Sequence, residues 1–282
     1  MSFDIQKLVR SHIADLQPYS SARNEFDHVE GEAVYLDANE NPFDNGVNRY
    51  PDPQQRKLKE VIAMRRGVAA NQLLLGNGSD EVLDLIFRAF CIPNQDNIIV
   101  MPPTYGMYEV LANINCISLY EVPLSNDFQL VTKDIFNHIS SQTKAIFLCS
   151  PNNPSGNSFH RADILSLLQS FDGLVVVDEA YIDFSNQKSL VAELPSYPNL
   201  IITQTLSKAY GLAGIRLGFC MASEEIINIL NKIKPPYNIN SLTQECAISA
   251  LEDWDATLEQ ITHLIAERKC LFAQLETISF IK

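Results

Sequence analysis

No C-x-x-C pair occurs in this chain: its six cysteines stand apart at positions 91, 116, 149, 220, 246 and 270. That spacing supplies neither a zinc site nor a disulfide framework. Most of the six lie in apolar runs such as IFLCS and LGFCM, where they read as small core residues of a reducing compartment. Basic residues are also scarce. Lysine and arginine number 21 against 34 acidic residues, a formal charge of −13, so no face-sized basic surface exists for nucleic acid or an anionic membrane. No apolar run approaches the roughly 20 residues that span a bilayer. The opening MSFDIQKLVR lacks the long apolar core of a secretion signal. A cytoplasmic protein is expected.

Catalytic signatures are missing as well. There is no G-x-S-x-G, no H-E-x-x-H and no Walker Gly-Lys-Ser/Thr, and the five histidines are scattered without ligand spacing. Repeats and low-complexity tracts are absent, so periodicity must carry the reading. Short β-rich runs alternate with helical segments: QLLLG then DEVLDLIFRAF, NIIVM then YGMYEVLANI, CISLYEV then KDIFNHI, KAIFLCS then RADILSLLQSF, GLVVVDEA, and NLIITQT. Such alternation predicts an α/β fold, a mostly parallel sheet with helices on both faces. AIFLC and LVVVD are apolar throughout, as strands covered on both sides are.

Three parts are expected: an arm at 1–44, a large α/β domain at 45–235, and the start of a smaller domain at 236–282. The proline pair in KIKPPYN marks the second boundary. Beyond it come a long helical pattern from WDATLEQ and then TISFIK, which reads as a lone first strand. A domain that stops there is expected to be incomplete.

Residues that can carry chemistry collect where strands end, the edge at which open α/β sheets bind ligands. Asp178 follows a buried strand; it caps a turn or, if nearly buried, needs a cationic or hydrogen-bonding partner or takes up a proton. GNGSDE places the N–H groups of Gly78, Ser79 and Asp80 at a helix start, either an ordinary cap or an anion nest. Tyr105 opens a helix after NIIVM, as packing or as cover for a flat ligand. Asn153 sits in the turn SPNNPSGN. A fifth strand end brings Thr205, Ser207, Lys208 and Arg216. With no other nucleophile at this edge, Lys208 is the candidate for covalent chemistry. Beside a buried arginine and little water, it is expected to offer a free amine. A covalent lysine, an anion nest, an aromatic ring and an acid together describe a site for pyridoxal phosphate.

These segments resemble a known family. DEAY, PNNPSG and TLSKAYGLAGIRLG are similar to the class I/II aminotransferases among the fold-type-I pyridoxal-phosphate enzymes. YLDANENPF, RYPDPQ, GNGSDEVLDLIFRAF and PYSSAR most resemble the histidinol-phosphate aminotransferases within it. The resemblance implies that Lys208 bonds the cofactor aldehyde and Asp178 keeps the pyridine nitrogen protonated. It further implies that Tyr105 stacks on the ring, with Asn153 and Tyr181 on its phenolic oxygen. Ser79, Asp80, Ser207 and Arg216 would hold the phosphate. A homodimer is implied, with Tyr50 reaching the neighbouring subunit's cofactor and Tyr19 and Asn39 near the substrate. Transamination between histidinol phosphate and 2-oxoglutarate is the implied reaction, with substrate-gripping arginines supplied by a segment beyond this sequence. Alternatives are an aromatic amino-acid aminotransferase, a threonine-phosphate decarboxylase-like enzyme, or a pyridoxal-phosphate-binding fragment without catalysis.

Overall fold

The computed structural model describes residues 3–20 and 34–280. Ser21, Ala22 and Arg23 of PYSSAR, and the last two residues of TISFIK, lie outside that range. A seven-stranded sheet forms the centre. Its strands are β1 (Leu73–Asn77), β2 (Asn97–Val100), β3 (Ser118–Glu121), β4 (Thr143–Cys149), β5 (Leu174–Asp178), β6 (Leu200–Thr205) and β7 (Leu217–Ala222). They lie side by side in the order β1-β7-β6-β5-β4-β2-β3.

Strands β3, β2, β4, β5 and β6 run parallel, while β7 is antiparallel to both β6 and β1. Two reversals restore direction, so β1 points the same way as β6. Strand β7 is therefore the only one whose first residue lies at the edge where the others end. The β-α alternation contains no segment for it, because LGFCM follows β6 after a loop instead of a helix. Its sequence was legible as apolar, not as a strand.

Alternating side chains of each central strand enter opposite cores. Leu74, Val100, Phe147, Val176, Ile201 and Cys220 meet α3 (Ser79–Phe90), α4 (Met107–Ile114) and α7 (Glu224–Ile233). On the other face Leu75, Ile99, Leu148, Val177, Ile202 and Phe219 meet α2 (Arg56–Arg66), α5 (Thr132–His138), α6 (Arg161–Ser170) and α8 (Ser241–Glu252). Hydrophobic burial on both faces explains the unbroken apolar runs. Edge strand β3 is the exception, largely exposed along its length.

The opening residues are not wholly irregular. A 3-10 turn at Ile5–Lys7 and the short α1 (Ser11–Ala14) bury Ile5, Val9 and Ile13 in the first core. Residues 34–55 carry no helix or strand. After α8, the long α9 (Trp254–Leu275) buries Ile261 and leaves most of its surface exposed. The expected strand in TISFIK is not formed at residues 277–280, which turn instead: among the described residues no neighbouring strand pairs with them. The cysteines divide evenly, with 91, 149 and 220 buried and 116, 246 and 270 exposed, so the core reading holds for half.

Candidate active site

At the shared strand edge lies a cavity of about 180 Å³, lined by residues from five separate segments of the chain. Gly78, Ser79 and Asp80 come from the β1–α3 turn, Tyr105 from the start of α4, and Cys149 from the end of β4. Asp178 and Tyr181 follow β5, Thr205, Ser207 and Lys208 follow β6, and Arg216 precedes β7. Nine of the side chains named from the sequence thus converge, although 137 positions separate Ser79 from Arg216.

Asp178 closes the floor and is 2% exposed. Its Oδ1 accepts hydrogen bonds from Thr203 Oγ1 at 3.1 Å and the Ala180 N–H at 3.2 Å. Its Oδ2 accepts one from the Tyr108 hydroxyl at 3.0 Å. Burial pushes this carboxyl above its ordinary value, and the three donors pull the other way. No cation pairs with Asp178 among the described residues. A buried acid without a counter-charge fits a protonated heteroaromatic nitrogen. Neither Tyr108 nor Thr203 was singled out from the sequence. The register Asp178↔Thr203 between β5 and β6 is the signal that finds the threonine.

The anion end is built differently from expectation. The Gly78 N–H is spent on the Arg216 carbonyl at 2.9 Å, so the nest consists of the Ser79 and Asp80 N–H groups. These occupy the first positions of α3, where no intrahelical acceptor exists. Beside them the buried Ser207 Oγ has no partner, and an anion would supply one. The Arg216 guanidinium lies 3.9 Å from Asp80 Oδ2 and is about half exposed, not buried. Lys208 is exposed too, so the dry, arginine-crowded lysine expected from sequence is not formed. Its Nζ sits 5.3 Å from the Tyr181 ring centre instead.

Two glycines allow this closeness. At Gly78, where φ is +76°, a Cβ would stand 2.7 Å from an Arg216 guanidinium nitrogen. A Cβ on Gly218 would stand 2.2 Å from the Ser79 nitrogen, backbone that cannot yield.

Tyr105 reaches Asp80 Oδ1 through its hydroxyl at 3.1 Å, and burial with that nearby carboxylate raises its pKa. Asn153 does not line the small cavity. It borders an adjoining groove of about 650 Å³ that shares Tyr181 with it and is bounded by Arg268 of α9. Tyr50 and Asn39 line a separate groove, where Tyr50 stacks on Tyr237 at 4.5 Å between centroids. Tyr19 is 71% exposed and lies in none of these. The second acid of DEAY serves structure. Glu179 points away from Asp178 and accepts from Ser189 Oγ, the Leu190 N–H and Gln204 Nε2.

A lysine amine, a buried acid and an anion nest in one pocket at the carboxyl edge of such a sheet define a pyridoxal-phosphate type of site. The chain belongs to the class I and II aminotransferases, whose family profile matches residues 22–281. The histidinol-phosphate aminotransferase of Flavobacterium johnsoniae is 57% identical over 100% of this chain and 81% of its own length. Among solved structures, the histidinol-phosphate aminotransferase of Clostridium acetobutylicum superposes with a TM-score of 0.76 at 27% identity, covering 84% of this chain and 71% of that one. That of Sinorhizobium meliloti, in complex with pyridoxal-5'-phosphate, gives 0.73 at 25% identity over 78% and 61%. The chain spans about four fifths of the curated relative's length.

Proposed function

We propose that this aminotransferase moves the amino group between histidinol phosphate and 2-oxoglutarate, as a step of histidine biosynthesis. The similarity to relatives of that name supports the substrate pair. The observation that carries the chemistry is Lys208 sharing one cavity with the buried Asp178.

Pyridoxal phosphate, when bound, supplies a ring that accepts electrons from a substrate carbon. Lys208 would hold the cofactor through its amine, and the same amine, when free, would take the proton from the donor's α-carbon. Asp178 keeps a proton on the ring nitrogen, which the three donors at its carboxylate favour by holding it charged. Ser79 and Asp80 N–H groups, Ser207 Oγ and Arg216 hold the phosphate, with the α3 dipole behind them. Tyr105 covers one ring face. Tyr181, which lines the cavity, would donate to the phenolic oxygen, and Asn153 would join it from the adjoining groove.

The chain works as a homodimer in this reading, and Tyr50 of the partner subunit completes the phosphate site. Tyr50 is 51% exposed, and Val34, Leu36 and Phe43 on the same stretch are each at least 80% exposed, an apolar surface suited to a second copy. Tyr19 and Asn39, which lie outside the Lys208 cavity of their own chain, would stand near the substrate. The arm 1–44, the cofactor domain 45–235 and the start of a smaller domain at 236–282 remain our division of the chain. No described helix is long and apolar enough to cross a membrane, and we assign the enzyme to the cytoplasm.

The test is glutamate release from 2-oxoglutarate by the purified protein, with histidinol phosphate as donor. Activity with aromatic amino acids alone, or carbon dioxide release from threonine phosphate, would replace this reading with a related one.

A further inference from the structure

The carboxylate of Asp178 has about four sites for hydrogen bonds, two on each oxygen. Both sites of Oδ1 are used, by Thr203 Oγ1 and the Ala180 N–H. One site of Oδ2 is used, by the Tyr108 hydroxyl. A single site is left over, on an acid that lines the cavity. Which oxygen faces the cavity is therefore decided by which donors hold the other positions.

Tyr108 suits this role by its burial and its packing. It is 0% exposed, so water does not replace its hydroxyl. Its ring is wedged against Phe147 at 5.4 Å and edge-on to Tyr105 at 5.6 Å, which removes rotamer freedom. Tyr105 precedes α4 and Tyr108 lies in its first turn, joined by the Tyr108 N–H to the Tyr105 carbonyl at 3.4 Å, so one turn delivers one ring to the pocket and the other hydroxyl to the acid. Cys149, beside this pair, keeps its proton at neutral pH because burial pushes the thiol up to about 12. It therefore adds no competing negative charge.

We propose that Tyr108 is a positioning residue that turns the Asp178 carboxylate so that one lone pair, on Oδ2, is offered to the ring nitrogen of the cofactor. The inference rests on the function proposed above. Thr203 and Ala180 clamp the far oxygen, and Tyr108 sets the angle of the near one.

Tyr108→Phe keeps the ring and its packing and removes only the donor, which thermal melting of the variant checks. Titrating full-length apoprotein with pyridoxal phosphate should then give ~10-fold weaker binding. In the loaded enzyme kcat should fall, with the KM for the amino donor unchanged within ~2-fold. In an Asp178→Asn background the same substitution should have no further effect, since the acid it positions is gone. Thr203→Val, which leaves the Ala180 N–H on Oδ1, should lose less than Tyr108→Phe in both measurements. The inference is overturned if Tyr108→Phe matches the wild type, if its deficit persists beside Asp178→Asn, or if Thr203→Val costs more. Wild-type protein that binds no pyridoxal phosphate would instead overturn the function itself. Wild-type binding that is lost in Asp178→Asn but kept in Tyr108→Phe would remove Tyr108 alone.

Discussion

Lys208 and Asp178 line one small cavity, and each makes a separable prediction. Lys208→Ala should abolish the covalent attachment of pyridoxal phosphate, read by mass spectrometry of the 205–216 peptide after borohydride reduction. An adduct on another lysine would displace Lys208 from its role. Asp178→Asn should retain the cofactor weakly and lower kcat by about 100-fold, since a neutral amide stabilises a ring cation poorly. The same residue predicts a pH effect on the apoprotein. Its folded carboxyl holds a proton more tightly than the unfolded one, because burial penalises the charge. The stability it contributes is present below the ordinary carboxylate value of about 4 and is lost as pH rises through the raised folded value. Asp178→Asn has no such loss. Its Tm relative to the wild type should therefore climb by about 2–4 °C for each 1 kcal/mol lost between acid and neutral pH. A Tm difference that is flat with pH would show that the acid ionises freely when folded.

Among the elements, the β1–α3 turn is where small residues decide most. Glu81 Oε2 accepts from the Asn77 N–H at 2.6 Å and from Asn238 Nδ2 at 3.0 Å, and Asn238 also donates to the Leu75 carbonyl. The anion nest is thus braced by the segment that follows the proline pair. Asn238→Ala should weaken cofactor binding by roughly 10-fold, on the order of one buried hydrogen bond, without displacing Lys208 chemistry. Unaltered affinity would mean that the turn holds its shape alone. Gly218→Ala meets backbone at 2.2 Å and should destabilise the protein by about 3 kcal/mol, measured by denaturant unfolding. Elsewhere, Arg66 pairs with Asp183 at 3.1 Å and ties the turn carrying Tyr181 to α2.

At the scale of the whole molecule, the exposed apolar stretch from Val34 to Tyr50 bears on the proposed second copy. If the proposed homodimer shares its sites, mixing Lys208→Ala with Tyr50→Ala protein should yield activity above the mean of the two, one intact site being assembled from two damaged chains. Additive activity would remove the shared site. The long run of β-α alternation and the convergence of five strand ends were readable because strand direction alone decides which residues reach the carboxyl edge. Strand β7 was not readable, since its direction depends on pairing with β1 and β6 and on no local signal.

The residue types at the site, their order along the chain and the layered fold follow from the sequence, because burial on two faces writes itself into apolar runs and turns. Three things were decided only in the folded molecule. The Gly78 N–H went to Arg216, Lys208 and Arg216 stayed exposed, and Tyr108 with Thr203 took hold of Asp178. Each is a matter of distance between segments far apart in the chain, and hydrogen bonding and solvation depend on those distances, which no local pattern records.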